Sequence, residues 1–316
     1  MKQLYALEPV KADPDAASVC RVAIVQTKPK KGALGVNLAH LVKAFEQIAK
    51  DGKTDLVVLP EAALTGYFLE GAVYELALSA SAMAAKLAGA WLEANGGWPV
   101  DIACGFYEND GGTYHNSAVY LTVGKRGHEI LHVHRKMFLP TYGVFDEERF
   151  LSRGRKLSVF ETRFGKVALL ICEDVWHSIM PTIAAVKGAR MLVVPSAAPG
   201  RGIEHEGELE SIAVWRSLLS NAAAEHGVFI VYAGLAGFEG GKGMTGSSAV
   251  FDPRGKVMLE APPLGECILR APIDLRECDV ARASLPLLGD LSSVLPDLLL
   301  DDELPLPKRR DDAAGR

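Results

Sequence analysis

Three apolar runs in this chain stop at residues that could do chemistry. Val57-Val58-Leu59-Pro60 delivers Glu61. His132-Val133-His134-Arg135 delivers Lys136, with Met137-Phe138-Leu139-Pro140 behind it. Val167 to Ile171 delivers Cys172, and Glu173, Asp174, Trp176 and His177 come next. A cysteine attacks well only as thiolate, and its free pKa is about 8.5. A carboxylate can take that proton, and a lysine can stabilise both the thiolate and a developing oxyanion. Glu, Lys and Cys thus form a complete acyl-transfer set without a histidine. Each residue also has a plainer reading. Glu61 could be an exposed first-turn glutamate, Arg135-Lys136 a solvated pair, and Cys172 a small buried hydrophobe. A Cys/His pair would draw on His132, His134 or His177, and nothing selects one of them. A metal site would have to mix Cys172, Glu173, Asp174 and His177, hard and soft ligands with no paired CxxC or HxxxH spacing.

Strands and helices must position these residues. Arg21 to Gln26 and Asp55 to Pro60 read as short buried strands, and Asn37 to Lys50 as a helix with Leu38, Leu41, Val42, Phe45 and Ile48 on one face. Ala72 to Ala94 reads as one alanine-rich helix, followed by a strand from Pro99 to Gly105. Tyr114–Val123 and Glu129–Arg135 alternate around Gly124-Lys125-Arg126-Gly127, as a hairpin does. Residues 137–156 read as loop. Strands follow at Leu157–Phe160, Val167–Cys172, Met191–Pro195 and Phe229–Gly234, with helices at Met180–Gly188 and Glu206–His226. Gly240–Gly246 reads as a flexible loop. A hairpin joins Ser247–Phe251 to Val257–Glu260, and Cys267–Ile273 is the last strand.

Hairpins interrupting a strand–helix alternation imply mixed sheets rather than pure parallel winding. Ten or more strands are too many for one open twisted sheet. The expected fold is α/β, a four-layer αββα sandwich. We expect residues 1–18 as a loose leader, 19–278 as one catalytic domain, and 279–316 as a leucine-rich tail. That tail would pack on this subunit or a neighbour, with the last eight or so residues disordered.

The chain has 316 residues, 49% of them apolar and 23% charged, enough to bury a sizeable core. A net charge of −5 gives no reason to expect nucleic acid or an anionic membrane as partner. No apolar run approaches the roughly 20 residues that span a bilayer, and the N-terminus lacks the apolar stretch of a signal peptide. The expectation is a cytoplasmic protein. The five cysteines are widely spaced, and Cys20, Cys104, Cys267 and Cys278 read as packing residues. Trp176, His177 and Trp215 read equally as core or interface residues.

The segments LPEAALTGY (59–67), HRKMFLP (134–140) and LLICEDVW (169–176), with VVPSAAP (193–199) and TGSSAVFDPRGKV (245–257), resemble the nitrilase superfamily of carbon–nitrogen hydrolases over roughly residues 20–275. That resemblance implies an αββα fold, Glu61 as general base, Lys136 as the cation beside the oxyanion and Cys172 as nucleophile. It also implies a second glutamate holding the lysine. YGVFDEERF (142–150) offers Glu147 and Glu148, and the Arg and aromatic that follow favour Glu147. Ser196 would line the substrate site. No metal and no organic cofactor is implied.

Within the superfamily, RKMFLPTYGVFDEERF and CEDVW look most like the glutaminase domain of glutamine-dependent NAD synthetases. That likeness implies Tyr142 and Glu173 in the substrate pocket. An SGGxDS run and an ATP-binding domain are expected to be absent, so the chain would not make NAD alone. Val175 stands where carbamoylase-like members carry arginine, Cys172 does not open a Cys-Trp-Glu run, and APGRGIEHEG (198–207) departs from the glutaminase pattern. The expected activity is hydrolysis of a small linear amide to carboxylate and ammonia through a cysteine thioester. The alternatives are a glutaminase-like subunit supplying ammonia to a separate partner, an acyltransferase, or a non-catalytic protein that kept the fold. The expected partners are a small-molecule amide and further copies of the chain, as a dimer or higher homo-oligomer.

Overall fold

The computed structural model describes residues 5–6, 19–202 and 209–301. In chain order, β1 (Tyr5–Ala6) and β2 (Val19–Gln26) precede α1 (Leu34–Asp51) and β3 (Leu56–Val58). Then come α2 (Val73–Leu76), α3 (Ala80–Glu93), β4 (Val100–Asp110), β5 (Thr113–Gly124) and β6 (Gly127–Arg135). A 3₁₀ turn at Glu147–Arg149 leads to β7 (Val159–Thr162), β8 (Gly165–Leu169), α4 (Glu173–Trp176), α5 (Ile179–Val186) and β9 (Met191–Ser196). Next are α6 (Glu210–His226), β10 (Phe229–Gly234), β11 (Ala236–Glu239), β12 (Lys242–Thr245), β13 (Ala249–Phe251) and β14 (Val257–Glu260). The described chain closes with β15 (Cys267–Asp274), α7 (Glu277–Ser284) and α8 (Leu287–Leu299).

Two mixed sheets result. One runs β1-β15-β2-β3-β4-β5-β6 and the other β14-β13-β10-β9-β8-β7, with β11-β12 as a separate hairpin. The middles are parallel, β2 with β3 and β4, and β8 with β9 and β10. Antiparallel hairpins extend the flanks. One core joins the facing sides of both sheets, packing Ile24, Val58 and Tyr120 against Val167, Val193 and Ile230. The same core continues to Trp215 and Leu219 of α6. A second core lies behind the first sheet, where Val57 and Ile102 meet Phe45 and Ile48 of α1 and Leu87 and Trp91 of α3. The layers are therefore helix, sheet, sheet, helix. The central strands are buried on both faces, which is why they read as continuous apolar runs.

Four sequence expectations differ from the structure. The single helix over Ala72–Ala94 is broken between α2 and α3. Leu78 is extended there and exchanges backbone hydrogen bonds with Tyr107 and Asn109 at the end of β4, and Ser79 Oγ accepts the Ala82 N–H to start α3 afresh. The strand expected to end at Gly105 runs on to Asp110, because β5 pairs with it along its whole length. The expected loop at Gly240–Gly246 is mostly the β11-β12 hairpin, turned by Gly240 and Gly241 at φ +56° and +78°. The stretch after Asp279 is helical, and the boundary at 278/279 falls inside α7. Leu288 packs on the chain's own core, while Val294, Leu298 and Leu299 are exposed. Of the expected leader, Tyr5–Ala6 pairs parallel with β15, and the rest lies outside the described residues, as do the first residues of the expected helix from Glu206 and the final KRRDDAAGR.

Gly105 shows how the fold serves the site. Its N–H donates to the Pro60 carbonyl, and a Cβ there would stand 2.5 Å from the Glu61 Cα. Gly105→Ala is expected to destabilise the protein by about 1–3 kcal/mol through overpacking and to displace Glu61. Urea unfolding and amide turnover measured together check this, and a variant of unchanged stability and turnover would contradict it.

Candidate active site

Glu61, Lys136, Glu147 and Cys172 reach one buried cluster from four separate segments. Glu61 follows β3 across Pro60, and the next residue, Ala62, takes φ +53°. Lys136 follows β6 and is fully buried. Its Nζ donates to Glu61 Oε1 and to Glu147 Oε1, at 2.9 Å each. Asn116 Nδ2 donates to the same two oxygens, at 2.6 and 3.1 Å. Tyr67 OH donates to Glu147 Oε1 at 2.5 Å, and the Tyr107 hydroxyl donates to the Tyr67 carbonyl. Glu61 Oε2 accepts the Ala197 N–H at 2.7 Å. Glu148, the other glutamate offered by sequence, is exposed.

Cys172 occupies the sharp turn between β8 and α4. Its backbone sits at φ +46°, ψ −102°, a conformation that side chains other than glycine rarely adopt. Its N–H donates to the Pro195 carbonyl, which fixes the turn against β9. Ser196, at the end of β9, is fully buried near Cys172 and Tyr232, and its hydroxyl makes no hydrogen bond to any described residue.

Asp174 ties the turn to the lysine. Its Oδ1 accepts the N–H groups of Met137 and Phe138 at 2.9 and 3.1 Å. Its Oδ2 accepts the Ile171 N–H at 3.1 Å and meets His134 Nε2 at 2.8 Å. One buried carboxylate thus fastens the segment after Lys136 to the residues flanking Cys172. His134 is engaged there, and His177 stacks on Phe138 with ring centroids 3.6 Å apart. His132 stacks on Phe160. Trp215 is buried between Trp176 and Tyr232, while Trp176 keeps an exposed face. The other four cysteines are buried. Among the described residues, no three His, Cys, Asp or Glu side chains converge on a metal-sized site.

Tyr142 and Glu173 also meet. Tyr142 OH donates to Glu173 Oε2 at 2.7 Å, and burial with this bond pushes the phenol up to about 12. The Arg201 guanidinium lies over the rings of Tyr142 and Phe145 and makes no ion pair with any described residue. A cavity of about 300 Å³ adjoins Glu147, walled also by Tyr67, Phe68, Phe145, Arg149 and Lys242. Cys172 is not among its walls, so it borders the cluster rather than containing the thiol.

Burial and neighbouring charge set the protonation states. Burial alone would depress the Lys136 ammonium, but Glu147 and Glu61 outweigh it and hold the lysine well above its ordinary value. Burial raises the Glu147 pKa; Lys136 pulls it down, Glu61 pushes it up, and the balance stays raised. Burial also pushes the Cys172 thiol far above its ordinary value. The charge of Glu61 adds to that rise, while Lys136, the Ser196 hydroxyl and the Ala197 N–H oppose it. The resting cysteine is therefore a thiol near Glu61, and the Ala197 N–H donates to that glutamate.

Sequence reasoning missed Asn116, Tyr67 and Tyr107, and weighed Asp174 only as part of a mixed metal site. The available signal was polarity at inward positions. Asn116 is a polar residue in the buried stretch of β5, and Asp174 is fully buried two residues after Cys172.

A model of the carbon-nitrogen hydrolase family matches residues 21–283. The chain belongs to that family. It is 30% identical to a 2-oxoglutaramate amidase of Bacillus subtilis over 80% of this chain and 91% of that protein. It is 31% identical to a glutamine-dependent NAD(+) synthetase of Thermotoga maritima, over 81% of this chain but 42% of that protein. The chain thus spans less than half the length of the NAD synthetases it matches. A crystal structure of a carbon–nitrogen hydrolase from Helicobacter pylori superposes with a TM-score of 0.79 at 27% identity, covering 90% of this chain and 99% of that one. No described helix is long and apolar enough to cross a membrane.

Two outcomes follow from the geometry. Neutralising Glu61 removes a cause of the raised thiol pKa. Alkylation of Cys172 by iodoacetamide, followed by intact mass, should therefore set in at lower pH in Glu61→Gln than in the wild type. A shift to higher pH would show that the Glu61 charge is not what raises the thiol. Asp174→Ala leaves three buried N–H groups and His134 without their acceptor and should cost about 3–5 kcal/mol in urea unfolding.

Proposed function

We propose that this chain hydrolyses a small linear amide to a carboxylate and ammonia through a thioester on Cys172. The observation that carries the reading is the buried contact of Lys136 with Glu61 and Glu147 beside a thiol that feels both Glu61 and Lys136. Glu61 takes the thiol proton as sulfur attacks the amide carbon. The oxyanion forms against the Lys136 ammonium and the backbone N–H of Glu173, the residue after the nucleophile. As the carbon–nitrogen bond breaks, Glu61 returns the proton to the leaving nitrogen, and ammonia departs. Water then gives a proton to Glu61 and adds to the thioester carbon; collapse of that adduct expels sulfur, Glu61 returns its proton to it to restore the thiol, and the acid released ionises to the carboxylate. Glu147, Asn116 and Asp174 act by positioning. Glu147 and Asn116 fix the lysine and the base, and Asp174 fixes the nucleophile turn to the lysine segment.

One observation favours a second reading, a glutaminase-like subunit that passes ammonia to a separate partner. Tyr142 and Glu173 pair next to the nucleophile, and Arg201 lies over Tyr142 without a counter-ion among the described residues. A carboxylate on Glu173 suits an ammonium on the substrate, and a free guanidinium suits a carboxylate. That pattern fits an amino-acid side-chain amide, and the NAD synthetase relatives point the same way.

Ammonia release from a panel of simple amides, glutamine and 2-oxoglutaramate separates the readings, with Cys172→Ala as control. Saturable turnover on simple amides, with an acyl adduct on Cys172 by intact mass, supports the first. Turnover on glutamine alone supports the second. No ammonia and no adduct from any amide would sink both. Glu61→Gln is expected to lower kcat by about 10²–10³-fold or more, the scale for removing one group from such a set.

A further inference from the structure

A second concave site lies on the far side of the strand end that carries Lys136. It is a cleft of about 390 Å³, walled by His115, His132, Arg135, Arg153, Arg155 and Lys156, and no described carboxylate lines it. Its volume falls in the range of small-molecule sites, about 300–1,000 Å³. Arg135 is engaged with Glu108 and Asp110. Arg153, Arg155 and Lys156 make no ion pair with any described residue, although the chain as a whole carries a net charge of −5. Three unpaired cations concentrated on one concave wall are a local departure from an acidic protein. The His132 imidazole beneath them adds polar capacity rather than charge. Burial, with the nearby His134 and Lys156, lowers the His132 pKa to about 4, and its Nε2 has no partner among the described residues.

The cationic segment is fixed to the strands and does not wave free. The Ser152 N–H donates to the Tyr114 carbonyl, and the Gly154 N–H to the Lys136 carbonyl, at 2.7 Å each. His115 Nδ1 meets the Ser152 carbonyl at 2.6 Å. Gly154 presses so closely that a Cβ would stand 2.0 Å from the Arg135 carbonyl oxygen. The backbone beneath the cleft therefore belongs to the residues around Asn116 and Lys136, whose side chains enter the catalytic cluster on the other side.

We propose that this cleft binds a small phosphate-bearing anion, with Arg153, Arg155 and Lys156 as its ligands. Guanidinium forks match phosphate oxygens in pairs, and a lysine adds a mobile point charge. An occupant drawing these three residues together also tightens the backbone that holds Lys136.

The test uses the full chain and inorganic pyrophosphate as probe, by isothermal titration at low ionic strength. Saturable binding is expected in the wild type, weakening as salt rises because the ligands are exposed. The Arg153→Ala/Arg155→Ala/Lys156→Ala variant should bind about tenfold more weakly or worse, the loss expected from removing charge-assisted hydrogen bonds, while keeping its amide turnover. A Lys125→Ala/Arg126→Ala control, which removes exposed charge at the β5-β6 turn, should bind as the wild type does. Hydrogen exchange should slow over residues 151–158 and 134–137 when pyrophosphate is added. The proposal is overturned by no saturable binding to the wild type, by equal affinity in the triple variant, or by equal loss in the control. It is also overturned if Cys172→Ala abolishes binding, because the anion would then sit in the catalytic cluster.

Discussion

The structure depends on one buried cation. The Lys136 ammonium has no access to water, and two carboxylate oxygens 2.9 Å away take the place of its hydration shell. An unpaired ammonium at that depth would be prohibitively unfavourable, and so would either glutamate alone. Each charge therefore makes the others tolerable. Three segments, after β3, after β6 and at the Glu147 turn, must meet for any of them to be buried at all. The cluster that would do the chemistry is also a condition of the fold.

Asp174 performs a comparable task with backbone. Its carboxylate accepts N–H groups from both the segment after Lys136 and the residue before Cys172, so the two cannot drift apart without leaving donors unmet. This constraint helps hold Cys172 in a conformation that its own backbone disfavours. Ala62 and Ser247 also carry positive φ. Strain at Cys172, and at Ala62 directly after Glu61, fits a cluster whose geometry is imposed from outside.

The layers were legible because burial writes itself into sequence. Val57-Val58-Leu59, Val167 to Ile171 and Phe229 to Gly234 are uniformly apolar, and strands covered on both faces require that. The errors fell where a local pattern had a tertiary competitor. Ala72 to Ala94 has helix-forming composition throughout, yet Leu78 leaves the helix to pair with β4. Gly240-Gly241 looks like slack and is a tight turn, because strands β11 and β12 close on either side of it. The leucines after Asp279 form helix α8, with Leu288, Leu291 and Leu295 half-buried on one face and most of the others left exposed.

The sequence by itself determined which chemical groups stand at strand ends, that their kinds suit acyl transfer, and which family they resemble. Those are properties of local order, readable from neighbours along the chain. Only the tertiary structure decided which oxygen meets which nitrogen. Asn116 bridging Glu61 and Glu147, Asp174 fastening two loops, and Glu147 rather than Glu148 facing Lys136 all join residues separated by up to 55 positions or differing by one. Such pairings follow from how two sheets pack, and a one-residue change along a turn reverses which side chain faces inward. The Arg153–Lys156 segment is the same case in reverse. It reads as an ordinary charged loop until its hydrogen bond to the Lys136 carbonyl places it behind the Glu61, Lys136 and Glu147 cluster.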